Sequence, residues 1–210
     1  MKKTVARYKY LFLFGIFMAI VRKKYFLKHQ KKYFELLKKG KVFIYPTDTI
    51  YGIGCDATNT SAVKHVHALK QREKKPFSVI APSKQWILQN CIVNSAVKKW
   101  LHKLPGKYTF ILKLRNRKAV SSSVHLGDFT VGVRIPRHWI SSVVADYAKP
   151  IVTTSVNISG QAFMTSLHDM HSGIRKKVAL IVYEGKKKAH PSTIVDFVQH
   201  ENGKILKRKK

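Results

Sequence analysis

The chain has 210 residues, 45% of them hydrophobic, which fits one compact domain with a real core and argues against disorder as the overall state. Lys and Arg number 41 against 10 Asp and Glu, a formal net charge of +31. Such a field attracts nucleic acid, nucleotides or an anionic membrane surface, although a general bias toward Lys accounts for it equally well. Two cysteines, Cys55 and Cys91, and histidines without metal-ligand spacing argue against a disulfide scaffold and a zinc site, and suit a reducing cytosol. His65 and His67 stand two apart, so on a helix they point to different faces.

Read from the N-terminus, residues 10–21, YLFLFGIFMAIV, form the one long apolar run, between basic residues on both sides. It falls short of the roughly 17–25 residues that span a bilayer as a helix, and no small-x-small cleavage site follows. It reads as a packing helix, an extension upstream of a start at Met18, or, ranked last, a short membrane anchor. From Tyr25 to Lys39 a helical period predicts a helix, stopped by Gly40. Val42–Tyr45 predicts a buried strand that breaks into a turn at Pro46, and Ser61 is expected to cap a helix carrying Ala62, Val63, Val66 and Leu69. Further strands are predicted at Phe77–Ile80, Thr109–Leu114, Val131–Ile135, Ile151–Thr154, Leu180–Tyr183 and Thr193–Phe197. Helices are predicted at Asn94–Leu104 and Trp139–Tyr147. Strands interleaved with helices predict an α/β layer structure with a mixed sheet. No internal repeat or linker-like shift divides it, and Lys207–Lys210 reads as a solvated tail.

Polar constellations gather where apolar runs end, which is where α/β proteins bind ligands. Pro46-Thr47-Asp48-Thr49-Ile50-Tyr51-Gly52-Ile53-Gly54 offers hydroxyls and glycines around a small polar ligand, or simply a Pro/Gly loop. No GxxxxGK[ST] phosphate loop occurs in the chain. In Lys70-Gln71-Arg72-Glu73-Lys74-Lys75-Pro76 a mobile ammonium and a planar guanidinium suit a triphosphate, or form a solvated helix end. Arg134 lies inside an apolar strand, Thr130–Pro136, where it needs an anionic partner. That partner is an internal carboxylate or a ligand carboxylate, and the scarcity of acidic residues favours the ligand. In Thr153-Thr154-Ser155-Val156-Asn157-Ile158-Ser159-Gly160, Ser155 and Asn157 would share a face and grip an oxyanion, or make turn contacts. Pro191-Ser192-Thr193-Ile194-Val195-Asp196 opens a strand with a hydroxyl pair. No nucleophile–base pair stands out, so the site orients and neutralises charge, as adenylyl transfer requires.

Taken in order, PTDTIYGIG, KQR, PGKYTFIL (Pro105–Leu112), TVGVRIP, TTSVNISG and PSTIVD resemble the motifs of the YrdC family of threonylcarbamoyl-AMP synthases. The similarity covers 25–207, leaving 1–24 as a basic and apolar extension and 208–210 as a basic tail. The resemblance implies a single-domain α/β fold, a twisted mixed sheet flanked by helices, with a basic concave ligand-binding face. It implies conversion of L-threonine, bicarbonate and ATP to threonylcarbamoyl-AMP and pyrophosphate, for threonylcarbamoyl-adenosine modification of tRNA in the cytoplasm. It places Thr49, Arg134, Ser155 and Ser192 on threonine, and Lys70, Arg72, Lys75, Thr130, Asn157, Thr165 and Lys207 on ATP. It implies Mg²⁺ bound through ATP, and no catalytic residue separate from the binding set. A tRNA contact through the basic face and a downstream threonylcarbamoyl transferase are the implied partners, with no stable membrane span.

Two departures are visible. Lys207 stands where relatives carry an Arg, and Ile80 where some relatives carry a His in the threonine pocket. Three other readings compete: a non-catalytic RNA-binding module of this fold, a carbamoyl-transfer domain like that of hydrogenase maturation proteins, and a membrane-surface protein using residues 10–21. The zinc-binding and acylphosphatase-like segments of the hydrogenase maturation proteins are not visible in the sequence.

Overall fold

The first helical stretch ends where the sequence places its glycine: Gly40 sits at φ +75°, a conformation that costs glycine nothing. In the computed structural model, which describes residues 18–72 and 75–206, the chain opens with β1 (Ala19–Val21), α1 (Lys23–Lys28), α2 (Gln30–Lys38), β2 (Phe43–Tyr45) and β3 (Gly52–Gly54). It continues through α3 (Thr60–Lys70), β4 (Ser78–Ile80), α4 (Lys84–Asn90), α5 (Ser95–Trp100) and β5 (Tyr108–Lys113). Next come α6 (Ser122–His125), β6 (Thr130–Arg134), α7 (Ile140–Tyr147) and β7 (Ile151–Ser155). The last elements are α8 (Ser172–Arg175), β8 (Leu180–Val182), β9 (Thr193–Asp196) and β10 (Lys204–Leu206).

The described strands form one mixed sheet in the order β1-β8-β2-β3-β7-β4-β6-β5-β9-β10. Neighbours are parallel at β1/β8, β8/β2, β4/β6 and β5/β9, and antiparallel elsewhere. Side chains alternate between the two faces. One face carries Ile44, Ile53, Val79, Phe110, Val133, Val152 and Val195, packed under Val63 and Val66 of α3, Ile87 of α4, Val97 of α5 and Ile174 of α8. The other face is apolar only over its first half, where Phe43, Tyr45, Ile80, Ile151 and Leu180 meet Phe26, Leu37, Val143 and Val144 from α1, α2 and α7. The second half of that face holds the site.

Four expectations change. The helix predicted from Tyr25 to Lys39 begins at Lys23 and divides at His29 into two. The cap of α3 is Asn59, whose side chain accepts the Ala62 N–H at 3.0 Å, rather than Ser61, which lies inside the first turn. Ala19–Val21, within the stretch assigned to an extension, pairs with β8 residue for residue, and Met18 and Ile20 pack on the core, so the folded unit reaches back before Tyr25. Gly52–Gly54, expected as loop, is a strand: a Cβ on Gly54 would lie 1.6 Å from the Val152 carbonyl oxygen, so only glycine admits this close pairing. Residues 10–17 of the apolar run lie outside the described residues, among which no helix is long and apolar enough to cross a membrane.

Candidate active site

Beyond Tyr45, Ile80 and Ile151 the inner face of the sheet changes character. Cross-strand register places Ser78 between Thr153 and Gly132, Gly132 opposite Ile111, and Gly52 opposite Ser155. Small and hydroxylated residues here leave a cavity of about 170 Å³, floored by Gly52, Ser78, Thr109 and Thr153 and walled by Thr47, Arg134, Ser155 and Ser192, with Arg72 and Phe77 at its rim. Gly132 keeps this floor open, since a Cβ there would sit 2.3 Å from Ser78 Oγ.

The loop after β2 is locked from within. Thr47 Oγ1 donates to the Ile50 carbonyl at 2.7 Å, accepts the Thr49 N–H at 3.1 Å and lies 3.0 Å from Thr49 Oγ1. Arg134 Nη2 donates to Asp48 Oδ1 at 2.7 Å and reaches Thr49 Oγ1 at 3.3 Å. The other carboxylate oxygen of Asp48 accepts the Arg137 N–H at 2.8 Å. Arg134 therefore has the internal carboxylate that the sequence reading ranked second. The physical reason is burial: this guanidinium needs a counter-charge before any ligand arrives. It still lines the cavity, oriented by that pair.

At the end of β7, Ser155 Oγ donates to Asn157 Oδ1 at 2.6 Å, so the two residues do converge, and Asn157 Nδ2 donates to the Gln161 carbonyl at 2.7 Å. Lys70 is only 1% exposed. Its ammonium donates to the Ser155 carbonyl at 2.5 Å, the Asn157 carbonyl at 2.8 Å and Asn157 Oδ1 at 3.0 Å. Burial first, and the Arg72 charge second, pull Lys70 down to about 7. Lys70 thus builds the Ser155–Asn157 turn from behind. Arg72 sits at the cavity rim, its Nε donating to the Lys75 carbonyl at 3.1 Å and Nη2 to the Pro76 carbonyl at 2.8 Å, with Cζ 5.3 Å from the Phe77 ring centre. Ser192 Oγ lies 2.8 Å from Thr109 Oγ1.

The remaining expected residues stand further out. Lys75 is exposed, Thr130 is half-buried where β6 begins opposite Lys113, and Thr165 donates to Asp169. Ile80 is fully buried in the apolar cluster beneath α7 and does not line the cavity. Lys207 and the tail lie outside the described residues. Ser78 and Thr109 were not expected in the site. Their signal was a hydroxyl on the inward phase of an otherwise apolar strand.

The family model described as "Telomere recombination", that of Sua5, YciO and YrdC, matches residues 35–209. The chain belongs to this family. A Methanocaldococcus jannaschii protein, named provisionally as a threonylcarbamoyl-AMP synthase, is 37% identical over 186 residues, 85% of this chain and 86% of its own. A "Threonylcarbamoyl-AMP synthase" of Buchnera aphidicola is 29% identical over 192 residues, 88% of this chain and 98% of its own. Among solved structures, P. abyssi Sua5 complexed with L-threonine aligns with TM-score 0.76 at 25% identity, over 90% of this chain and 56% of that one. This member of the Sua5/YciO/YrdC family therefore spans little more than half of the Sua5 chain. E. coli YciO aligns with TM-score 0.77 at 21% identity, over 92% of this chain and 95% of its own. That likeness concerns the fold, a single mixed sheet flanked by helices.

Proposed function

We propose that this chain is an L-threonylcarbamoyladenylate synthase, a nucleotidyltransferase that joins L-threonine, bicarbonate and ATP and supplies tRNA modification in the cytoplasm. The observation that carries the reading is the cavity itself. It is smaller than the roughly 300–1,000 Å³ of drug-sized pockets, lined by hydroxyls and by Arg134, dimensions that suit one small amino acid with the nucleotide across its mouth. The relatives' names and the threonine complex of P. abyssi Sua5 support the same assignment.

In this reading Arg134 and Ser155 face the threonine carboxylate, and Thr49 and Ser192 meet its amino and hydroxyl groups. The amine adds to bicarbonate with loss of water, giving a carbamate. A carbamate oxygen then attacks the α-phosphorus of ATP and pyrophosphate leaves. Arg72 and Lys75 neutralise phosphate charge at the rim, while Lys70 and Asn157 hold the Ser155 turn in shape. Thr130 and Thr165 border the nucleotide's path. Mg²⁺ enters as the counter-ion of ATP: among the described residues no Asp or Glu lines the cavity, and Asp48 beside it already accepts from Arg134 and Arg137. Catalysis then rests on positioning and charge neutralisation. The exposed lysines of α1 and α2, on the same side of the sheet, are the proposed tRNA contact. An RNA-binding module without chemistry would have no use for a small, hydroxyl-lined cavity with a buried Arg134 in its wall.

The test is pyrophosphate release from ATP and bicarbonate with each amino acid in turn. Threonine-dependent release is expected; release that ignores the amino acid would reject the reading.

A further inference from the structure

β8 and β9 run in the same direction but lie at opposite sides of the sheet, with β2, β3, β7, β4, β6 and β5 between them. Seven inter-strand steps of about 4.8 Å make roughly 34 Å. Residues 183–192 make this crossing without regular secondary structure, except a bend at Gly185. An extended chain covers at most about 3.3–3.6 Å per residue, so the segment crosses the face as an extended strap. It runs on the cavity side, since Pro191 and Ser192 form part of the cavity wall.

A strap of this kind holds a defined position only where it is pinned. At its start the Tyr51 hydroxyl donates to the Gly185 carbonyl at 2.7 Å and accepts the Glu184 N–H at 3.0 Å. At its end Ser192 meets Thr109. Among the described residues, the contacts that hold the middle centre on Lys187. Lys187 N–H donates to the Thr165 carbonyl at 2.9 Å, and its ammonium donates to the Thr47 carbonyl at 2.9 Å and to Glu184 Oε2 at 3.3 Å. Glu184 is in turn oriented by the Trp139 indole N–H and by His138 Nε2 at 3.1 Å. Burial opposes the Glu184 charge, but the Trp139 hydrogen bond, His138 and Lys187 together hold its carboxyl below the usual range. The Thr47 carbonyl belongs to the loop whose next residues, Asp48 and Thr49, meet Arg134.

We propose that Lys187 is a positioning residue for the amino-acid cavity, pinning the strap of residues 183–192 against the Thr47–Thr49 loop. It touches no reacting atom; it acts through Thr47 and the residues that follow it. The link to threonine rests on the function proposed above, whereas the pinning stands on the contacts alone.

Two measurements on Lys187→Met, which keeps the aliphatic stem and removes the donors, separate these claims. In hydrogen exchange read by mass spectrometry, peptides covering 46–51 and 183–192 should exchange about tenfold faster than in the unaltered protein, with other regions unchanged. In the pyrophosphate assay the KM for threonine should rise about five- to tenfold, the scale of one charge-assisted hydrogen bond, with kcat and the KM for ATP within about twofold. Lys187→Arg, which restores a cation and its donors, should recover most of both effects. Unchanged exchange in the two peptides would overturn the pinning. Faster exchange with an unaltered KM for threonine would overturn the positioning role. Should the unaltered protein show no threonine-dependent release while the exchange responds as expected, the pinning is supported and the proposed substrate is what falls.

Discussion

Replacing Asp48 with Asn tests whether the cavity wall is held by a buried ion pair. The Arg134 and Asp48 side chains are 8% and 5% exposed, and their 2.7 Å contact is joined by the 2.8 Å bond from the Arg137 N–H to the second carboxylate oxygen. An amide has one acceptor oxygen. If it keeps Arg134, its NH₂ faces the Arg137 N–H; if it keeps Arg137, the NH₂ faces the guanidinium. Breaking a buried pair by removing one charge typically costs about 3–5 kcal/mol, and the retained hydrogen bond places this substitution near the lower figure. Against a total stability of about 5–15 kcal/mol, a loss near 3 is large and easily read from a urea titration followed by tryptophan fluorescence. A second substitution decides the cause. In Asp48→Asn/Arg134→Met the stranded charge is gone, so the double variant should be more stable than the sum of the singles predicts, by about 1–3 kcal/mol. A loss below about 1 kcal/mol for Asp48→Asn, or strict additivity in the cycle, would refute the reasoning.

Gly132→Ala should keep the fold at some cost in stability, because its backbone φ is ordinary and Ser78 Oγ, 2.3 Å from the new Cβ, can rotate away, while Ser78 Cβ at 3.0 Å and Thr109 Cγ2 at 3.2 Å must give by a few tenths of an ångström; it fills the floor at that point. Calorimetric threonine affinity should fall about tenfold, equivalent to about 1.4 kcal/mol; unchanged affinity would remove the floor from the binding site. Lys70 predicts opposite pH trends for stability and binding. In the unfolded chain it keeps its proton to about 10.5, in the folded chain only to about 7, so its stabilising contribution is complete above 10.5 and is lost as pH falls through 7. A neutral amine has two N–H bonds for three acceptors, so the Ser155–Asn157 turn loosens and ATP affinity should weaken above about 7; Lys70→Met should flatten both profiles, and flat profiles in the unaltered protein would sink the idea. A hydroxyl-reading pocket should use threonine, then serine, with valine negligible, since such sites discriminate by up to about 10⁴–10⁵ against analogues lacking the hydroxyl. Comparable turnover of valine would reject it.

Most of the sheet was legible because its central strands are apolar runs of β-branched and aromatic residues between turn signals. β1, β3 and β10 were not. Two of the three residues of β3 are glycines, which read as loop unless the Val152 backbone they must admit is known. Within β10 the flanks are polar and Ile205 is exposed, so no burial pattern marks it. The motif residues Arg134, Ser155 and Ser192 do line one cavity, and Thr49 bonds to its wall. Their partners were hidden for a plain reason: Arg134 finds Asp48 86 residues away and Lys70 finds Asn157 87 away, distances over which sequence spacing carries no geometry. The KxR spacing suggests a phosphate contact for Lys70, and the structure adds what spacing does not show, that its buried ammonium donates to the Ser155 and Asn157 carbonyls and to Asn157 Oδ1.

The ten acidic residues explain how so cationic a chain keeps a defined site. Five of them brace loops. Asp48 ties the loop after β2 to the turn after β6. Asp56, buried at the end of β3, accepts from the Thr58 N–H and hydroxyl and from the Tyr147 hydroxyl of α7. Asp169 holds Thr165 and Ser166, Glu184 holds Trp139, His138 and Lys187, and Asp196 accepts the Val198 and Gln199 N–H groups beyond β9. Repulsion among 41 basic residues opposes compaction everywhere. Four of these carboxylates answer it by accepting backbone N–H groups that would otherwise be left without partners, and Glu184 does so by gathering the side chains of Trp139, His138 and Lys187. The arrangement divides the electrostatics of the molecule in two. The chain carries a large excess of positive charge, and these acids, Asp48, Asp56 and Asp196 among them largely shielded from solvent, fix the loops around the cavity and the strand ends.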